Sequence, residues 1–112
     1  MQKEFLLTLS LSVILLTAFL VLMFDSGPTR TELDSAIGKS QQLYSEAKSK
    51  GMDFSSGPCL SNALMPDWVA DIVHDPREDR DNLDENMCPG FKEGRAKHFV
   101  ELDTEGNLIR AR

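Results

Sequence analysis

The C-terminal stretch at residues 98–111 reads HFVELDTEGNLIRA and carries the clearest local signal in the chain. Two runs of strand-forming residues flank a polar turn, and Gly106 suits the left-handed position that follows a type I turn. The sequence therefore predicts a β-hairpin over 97–111 with a short loop. The predicted register pairs Leu102 with Leu108, Glu101 with Ile109 and Phe99 with Ala111.

Residues 30–50 carry an apolar stripe at the three- and four-residue steps that are typical of an amphipathic helix. Thr29 and Glu32 match a capping box at its beginning, and Gly51 is a favourable stop at its end. The stripe consists of Leu33, Ala36, Ile37, Ser40, Leu43, Tyr44 and Ala47. The pattern predicts one helix over 30–50.

A short segment between Pro66 and Pro76 fits both a strand and a helix. Its β-branched and aromatic residues favour a strand over 67–74. In such a strand Trp68, Ala70, Ile72 and His74 share one face, and Val69, Asp71 and Val73 share the other. The chain is therefore predicted to be α+β: an amphipathic helix, then a small antiparallel sheet that ends in a β-hairpin.

The predicted domain is short of apolar residues. Leu, Ile, Val and Phe together fill only 16 of the 88 positions from 25 to 112, and a small domain with so thin a core usually needs a covalent staple, a metal or a partner. Cys59 and Cys88 offer a disulfide, which we expect outside the cytoplasm because thiols are oxidised there. Two buried free thiols in a cytoplasmic domain are the alternative.

The N-terminal run at 5–24 reads FLLTLSLSVILLTAFLVLMF and contains no charge, whereas 28 of the 30 charged residues follow it. A helix of about 20 such residues spans the roughly 30 Å hydrocarbon core of a bilayer. A cleaved signal peptide is the alternative, but its apolar region is shorter and ends in a small-residue cleavage site. We therefore predict a tail and uncleaved signal anchor at 1–24, a linker at 25–29 and a soluble domain at 30–112.

The short tail Met1-Gln2-Lys3-Glu4 resembles the basic region that stays in the cytoplasm, and the paired cysteines suit an oxidising compartment. We therefore expect the soluble domain to lie outside the cytoplasm. The net charge of −6 argues against nucleic-acid binding, since phosphate recognition needs a basic surface. The expected partners are the lipid bilayer and another envelope protein, with no nucleic acid and no cofactor.

The sequence lacks a residue pattern that each of the metal and catalytic sites considered requires. The candidate zinc ligands are Cys59, His74, Cys88 and His98. None of them forms the close pair that structural zinc sites usually include. The acidic loop at 75–85 fails the calcium-loop pattern at Leu83 and Asp84, which leaves a solvated loop as the favoured alternative. A Cys–His enzyme needs a free thiolate, which a disulfide removes. We therefore predict no catalytic, metal or cofactor-binding residues.

A concentrated apolar segment, with Tyr44 of the helix stripe expected near it, indicates a contact surface; the segment consists of Trp68, Val69, Ile72 and Val73. Tyr and Trp are favoured interface anchors because they bury a large area with few rotatable bonds. The predicted contact residues are Tyr44, Trp68 and Val69. The favoured alternative is that Trp68 simply forms the core of a small domain, because single large aromatic residues usually serve packing.

The layout of an apolar N-terminal helix, an amphipathic helix and a small disulfide-bonded sheet resembles that of type IV pilins and pseudopilins. That family has Gly or Ala before the Phe that becomes its N-terminus, and this chain has Glu4 before Phe5. The family also has an acidic residue four positions beyond that Phe, and this chain has Leu9 there. The resemblance implies a filament subunit.

A second resemblance lies in the run SGPCLSN at 56–62 together with Pro66-Asp67-Trp68, which is similar to short single-span bacterial membrane-anchored proteins of unknown function. Our leading prediction is a single-pass, membrane-anchored binding or structural module outside the cytoplasm. A pilin-like filament subunit comes second, and a small metal- or thiol-dependent enzyme comes third.

Overall fold

The computed structural model describes residues 12–16 and 27–112, and residues 12–16 are helical. Among these residues, no helix is long and apolar enough to cross a membrane. Most of the run at 5–24, where the sequence predicts an anchor, lies outside the described residues. The anchor therefore stays a prediction.

One long helix, α1, spans Arg30–Ser49. The side-chain oxygen of Thr29 accepts a hydrogen bond from the backbone N–H of Glu32 at 3.1 Å, which satisfies one of the donors left open in the first turn. The helix thus begins at the predicted cap. Its buried residues are Ala36, Ser40 and Tyr44, all on the predicted stripe.

Four strands form one sheet in chain order. They are β1 (Cys59–Met65), β2 (Trp68–Ile72), β3 (His98–Leu102) and β4 (Leu108–Ala111). The outer pairs are antiparallel, but β2 and β3 run parallel. The prediction of an antiparallel sheet is therefore wrong at its centre. Parallel neighbours need a crossover of a dozen or more residues, and residues 73–97 supply one.

The crossover at 73–97 contains two 3-10 turns, at Asp79–Asn82 and Asp84–Asn86, and a short helix, α2, at Pro89–Lys92. Its Cys88 belongs to a buried cluster with Val69 of β2 and Phe99 of β3. The crossover therefore covers the sheet on the side that α1 leaves open.

The C-terminal hairpin forms, with Leu102 opposite Leu108 as predicted and with φ of 90° at Gly106. An irregularity next to Leu102 then shifts the register, so that Glu101 lies opposite Arg110 instead of Ile109. The predicted pairs beyond the first are therefore wrong. A bulge adds one residue to one strand, whereas the predicted register is that of a regular ladder.

The two faces of the sheet bury different residues, because side chains alternate along a strand. The face under α1, here the helix face, has an apolar core made of Ala36, Tyr44, Phe54, Leu64, Trp68, Ala70, Ile72, Val100 and Leu102. The opposite face, here the disulfide face, has a smaller cluster made of Val69, Cys88, Ala96 and Phe99, with Cys59 against it.

The disulfide between Cys59 and Cys88 is present, as predicted. Its cysteines are 29 residues apart in the sequence, and they join the beginning of β1 to the crossover. The covalent staple that a thin core requires therefore lies on the face with the smaller apolar cluster.

Candidate functional site

The three predicted contact residues, Tyr44, Trp68 and Val69, are all buried, with exposed fractions of 6%, 2% and 1%. Tyr44 stacks on Phe54 with a ring-centroid distance of 4.5 Å, and its hydroxyl donates a hydrogen bond to the carbonyl of Thr104 at 2.7 Å. Their burial favours the alternative interpretation, core packing. A partner contact through these side chains stays a prediction.

A pocket with a volume of about 160 Å³ opens on the disulfide face. Its apolar walls are Val69, Met87, Cys88, Phe91 and Phe99. Its charged lining consists of Asp71, Arg77, Glu101, Arg110 and Arg112. Apolar walls with a few convergent charged groups are the usual make-up of a ligand site.

The strand register explains why two acidic residues meet in this pocket. The parallel pairing of β2 with β3 places Asp71 beside Glu101, and both follow the alternation of Val69 and Phe99 onto the disulfide face. Glu101 is buried and is neutralised by two arginines. Arg77 of the crossover contacts its Oε2 at 2.8 Å, and Arg110 of β4 contacts its Oε1.

Asp71, in contrast, forms no ion pair with any described residue. Its Oδ1 is buried and, among the described residues, has no hydrogen-bond partner. Burial of the carboxyl, together with the nearby charge of Glu101, raises the pKa of Asp71 to about 7, although Arg77 acts in the opposite direction. This carboxyl therefore changes its charge near neutral pH.

Two arginines lie over the aromatic ring of Phe99. The guanidinium carbons of Arg110 and Arg112 are 5.2 and 5.6 Å from its centroid, within the range of a cation–π contact. Phe91 meets the same ring edge-on at 5.0 Å. Within the described part of the chain, the ion pairs do not include Arg112.

A second polar cluster, outside the pocket, braces the crossover. Asp81 is fully buried, and its carboxylate accepts hydrogen bonds from the backbone N–H groups of His74 and Glu78 at 3.0 and 2.9 Å and from His74 Nδ1 at 2.8 Å. Burial acts to raise the pKa of Asp81, but these hydrogen bonds outweigh it and hold the pKa below its usual value. His74 Nε2 reaches the carbonyl of Ser55 at 2.9 Å. Both ring nitrogens therefore serve structure.

The candidate zinc ligands are not brought together. Cys59 and Cys88 form the disulfide, His74 contacts Asp81, and His98 packs against Trp68 with ring centroids 5.0 Å apart. Over residues 12–16 and 27–112, which include the acidic loop, no group of three or more His, Cys, Asp or Glu residues is placed to hold a metal ion.

Sequence reasoning missed the pocket, although one signal was available. On the predicted strand over 67–74, Asp71 stands between Val69 and Val73 on the same face. An acidic residue inside an apolar strand face is costly unless it is compensated. The three arginines gave no such signal, because they come together only through the parallel pairing and the hairpin.

Comparison of the chain with protein families, with curated proteins and with solved structures found no match. The resemblance to pilins and to short single-span proteins therefore stays a prediction.

Proposed function

We propose that this chain is a single-pass, membrane-anchored binding module that displays its α+β domain outside the cytoplasm and binds a ligand in the pocket on the disulfide face. The uncharged run at 5–24 supports the anchor. The disulfide between Cys59 and Cys88 supports an oxidising compartment. The binding role rests on the pocket.

The observation that carries the binding role is Asp71, a residue of the pocket lining whose buried Oδ1 has no hydrogen-bond partner among the described residues. Leaving a buried acceptor without a hydrogen bond costs about 1–3 kcal/mol. A protein keeps such a group where it does something other than stabilise the fold, and shifted pKa values cluster at functional sites. A ligand bound in the pocket lies beside this carboxyl.

The pocket favours binding over turnover. Its described lining contains no Ser, Thr, His or free Cys, so it offers no common nucleophile other than a carboxylate. The His74–Asp81 pair resembles a catalytic dyad, but the Ser55 carbonyl occupies the ring nitrogen that a reaction would use. We therefore propose that the domain acts by contact, with another envelope protein as the expected partner.

Photo-crosslinking in native membranes tests the binding role. A photo-reactive phenylalanine analogue replaces Phe91 at the pocket or Leu83 outside it, since these two side chains are similarly exposed at 40% and 48%. We expect a discrete adduct from position 91 and none from position 83. Equal labelling at both positions, or none at position 91, would contradict the proposal.

Protease treatment of intact spheroplasts tests the orientation. If the domain lies outside the cytoplasm, added protease removes the fragment from residue 25 onward without lysis. Cleavage that requires lysis would place the domain inside. A cytoplasmic protein that is cleaved only after lysis is the control for spheroplast integrity.

A pilin-like filament subunit is the alternative function, and the packing of α1 on a four-stranded sheet after an apolar N-terminal run favours it. A processed subunit begins at Phe5, whereas an anchored module keeps Met1-Gln2-Lys3-Glu4. Mass spectrometry of the intact protein from native membranes distinguishes the two.

A further inference from the structure

We propose that the pocket on the disulfide face binds a carboxylate attached to a compact apolar group about the size of one aromatic ring. This inference rests on the proposed function and names the ligand class for the same pocket. Pocket size, charge balance and the unpartnered oxygen of Asp71 support it.

The volume of the pocket sets the size of the apolar group. At about 160 Å³, the pocket is close to an engineered cavity of about 150 Å³ that holds benzene. It is smaller than the roughly 300–1,000 Å³ typical of pockets for drug-sized ligands. Val69, Met87, Phe91 and Phe99 give it apolar walls. One ring, or one branched side chain, therefore fills it.

The charge balance of the lining favours an anion. Two of its three arginines, Arg77 and Arg110, already contact Glu101. The guanidinium of Arg112 is left over Phe99, with no ion pair to any described residue. A guanidinium binds a carboxylate through two parallel hydrogen bonds. A doubly charged phosphate suits this place less well, because Glu101 repels it.

Asp71 adds a donor when it is protonated. Asp71 lines the pocket, its buried Oδ1 has no hydrogen-bond partner among the described residues, and its protonated carboxyl donates an O–H to an incoming carboxylate. The charged groups that face it are Glu101 from β3, Arg77 and Asp81 from the crossover, Arg110 from β4 and Arg112 just after β4. Because its pKa is raised to about 7, the protonated form becomes common as the pH falls below neutrality. Carboxylate binding should therefore strengthen on mild acidification.

An ammonium group is the competing ligand, since ionised Asp71 would accept its hydrogen bond. The three guanidinium groups of the lining repel a cation, and only two carboxyls oppose them. The structure therefore favours the carboxylate, and an amine serves as the opposing probe.

Calorimetric titration of the full-length protein in detergent micelles tests this ligand class, with protein-free micelles as the blank. The probes are 3-phenylpropanoate, its neutral amide, 2-phenylethylamine and an acetylated tripeptide that ends in a free phenylalanine carboxylate. We expect the two carboxylates to bind at least about tenfold more tightly than the amide or the amine. Their affinity should be higher at about pH 6 than at about pH 8.

Matched variants assign the binding to the pocket. Arg112→Gln should weaken carboxylate binding about tenfold, whereas Arg30→Gln, which makes the same charge change on α1, should leave it unchanged. Asp71→Asn should abolish the pH dependence, because the amide donates a hydrogen bond at every pH. Circular dichroism and the fluorescence emission of Trp68 are the controls that show whether each variant keeps its fold.

Each outcome decides for or against the ligand class. Tighter binding of the peptide supports the carboxylate ligand class and identifies a protein C-terminus as the source. Tighter binding of 3-phenylpropanoate supports the same class and identifies a small acid. Equal or tighter binding of the amide or the amine overturns it, as does no binding of either carboxylate or binding that Arg112→Gln leaves unchanged. The proposed binding role is judged separately, by the crosslinking at Phe91.

Discussion

The two faces of the sheet are stabilised by different means. The helix face buries Trp68, Ile72, Val100 and Leu102 under α1, and packing excludes water from it. The disulfide face places Asp71 and Glu101 among a few apolar residues, and a disulfide, ion pairs and the Asp81 brace hold the crossover over it.

This difference follows from the small number of apolar residues. With 16 Leu, Ile, Val and Phe residues after residue 24, the chain cannot fill two cores, and the helix face takes most of them. The disulfide face is therefore held by bonds that tolerate polar neighbours, which leaves it free to carry a charged pocket. Most of the apolar packing and the charged pocket thus lie on opposite faces of one sheet.

Removing the disulfide should have the largest effect, and it should loosen one face first. For the double substitution Cys59→Ala and Cys88→Ala, the chain-entropy model gives a loss of about 3.5 kcal/mol for a loop of this length. Urea unfolding, followed by the emission of the single tryptophan, Trp68, measures it. Hydrogen exchange should rise more in the crossover at 73–97 than in α1. An equal rise in both would mean that the faces are not stabilised separately.

The second prediction concerns the Asp81 brace. Asp81→Asn replaces a buried carboxylate that accepts three hydrogen bonds, and we expect a loss of about 2–3 kcal/mol in unfolding free energy. The matched control is Asp79→Asn, an exposed residue of the same 3-10 turn, which should change stability by less than about 0.5 kcal/mol. Similar losses for the two variants would show that net charge, not the brace, matters here.

The third prediction lies on the helix side, where packing should dominate. Gly106 has φ of 90°, and a Cβ added there would lie 2.5 Å from Cε1 of Tyr44. Gly106→Ala should therefore cost about 2 kcal/mol or more, combining backbone strain with a clash. Gly94→Ala is the control, since it has φ of 77° and open space around it, and it should cost about 1 kcal/mol. If urea unfolding shows equal losses of stability for the two variants, the clash with Tyr44 does not contribute.

The last prediction is a pH slope, whose effect is small over any one pH unit. Between about pH 4 and pH 7 the folded protein keeps a proton on Asp71 that the unfolded chain has released, because burial raises the pKa from 3.8 to about 7. Stability should therefore fall as the pH rises through this range, by up to about 1.4 kcal/mol per pH unit. Asp71→Asn should remove that contribution. Parallel pH profiles of the unfolding free energy for the two proteins would contradict the assignment.

The sequence predicts those parts of the fold that depend only on neighbouring residues. The Thr29 cap, the stripe of α1 and the turn at Gly106 depend on residues within a few positions of one another, and the structure contains all three. The disulfide was predictable because the chain has only two cysteines. These features need no knowledge of the tertiary structure.

The parallel pairing and the pocket depend on contacts between distant residues. The pairing of Asp71 with Glu101 joins positions 30 apart, and Arg110 reaches Glu101 only because a bulge shifts the hairpin register. No periodicity encodes these distances. Tyr44 and Trp68 were equally ambiguous, because large aromatic residues serve interfaces and cores alike, and only burial distinguishes the two.

The parallel seam between β2 and β3 also sets an order of assembly. The hairpins β1–β2 and β3–β4 each close through a few residues, whereas the seam must bring together strands separated by residues 73–97. Closing a longer loop loses more chain entropy, and such non-local pairing slows folding. The two hairpins should therefore form as separate early units, and their joining should limit the folding rate. Substitutions within a hairpin should therefore slow folding, because their contacts are already formed when the seam closes, while substitutions in contacts made only after the joining should mainly speed unfolding.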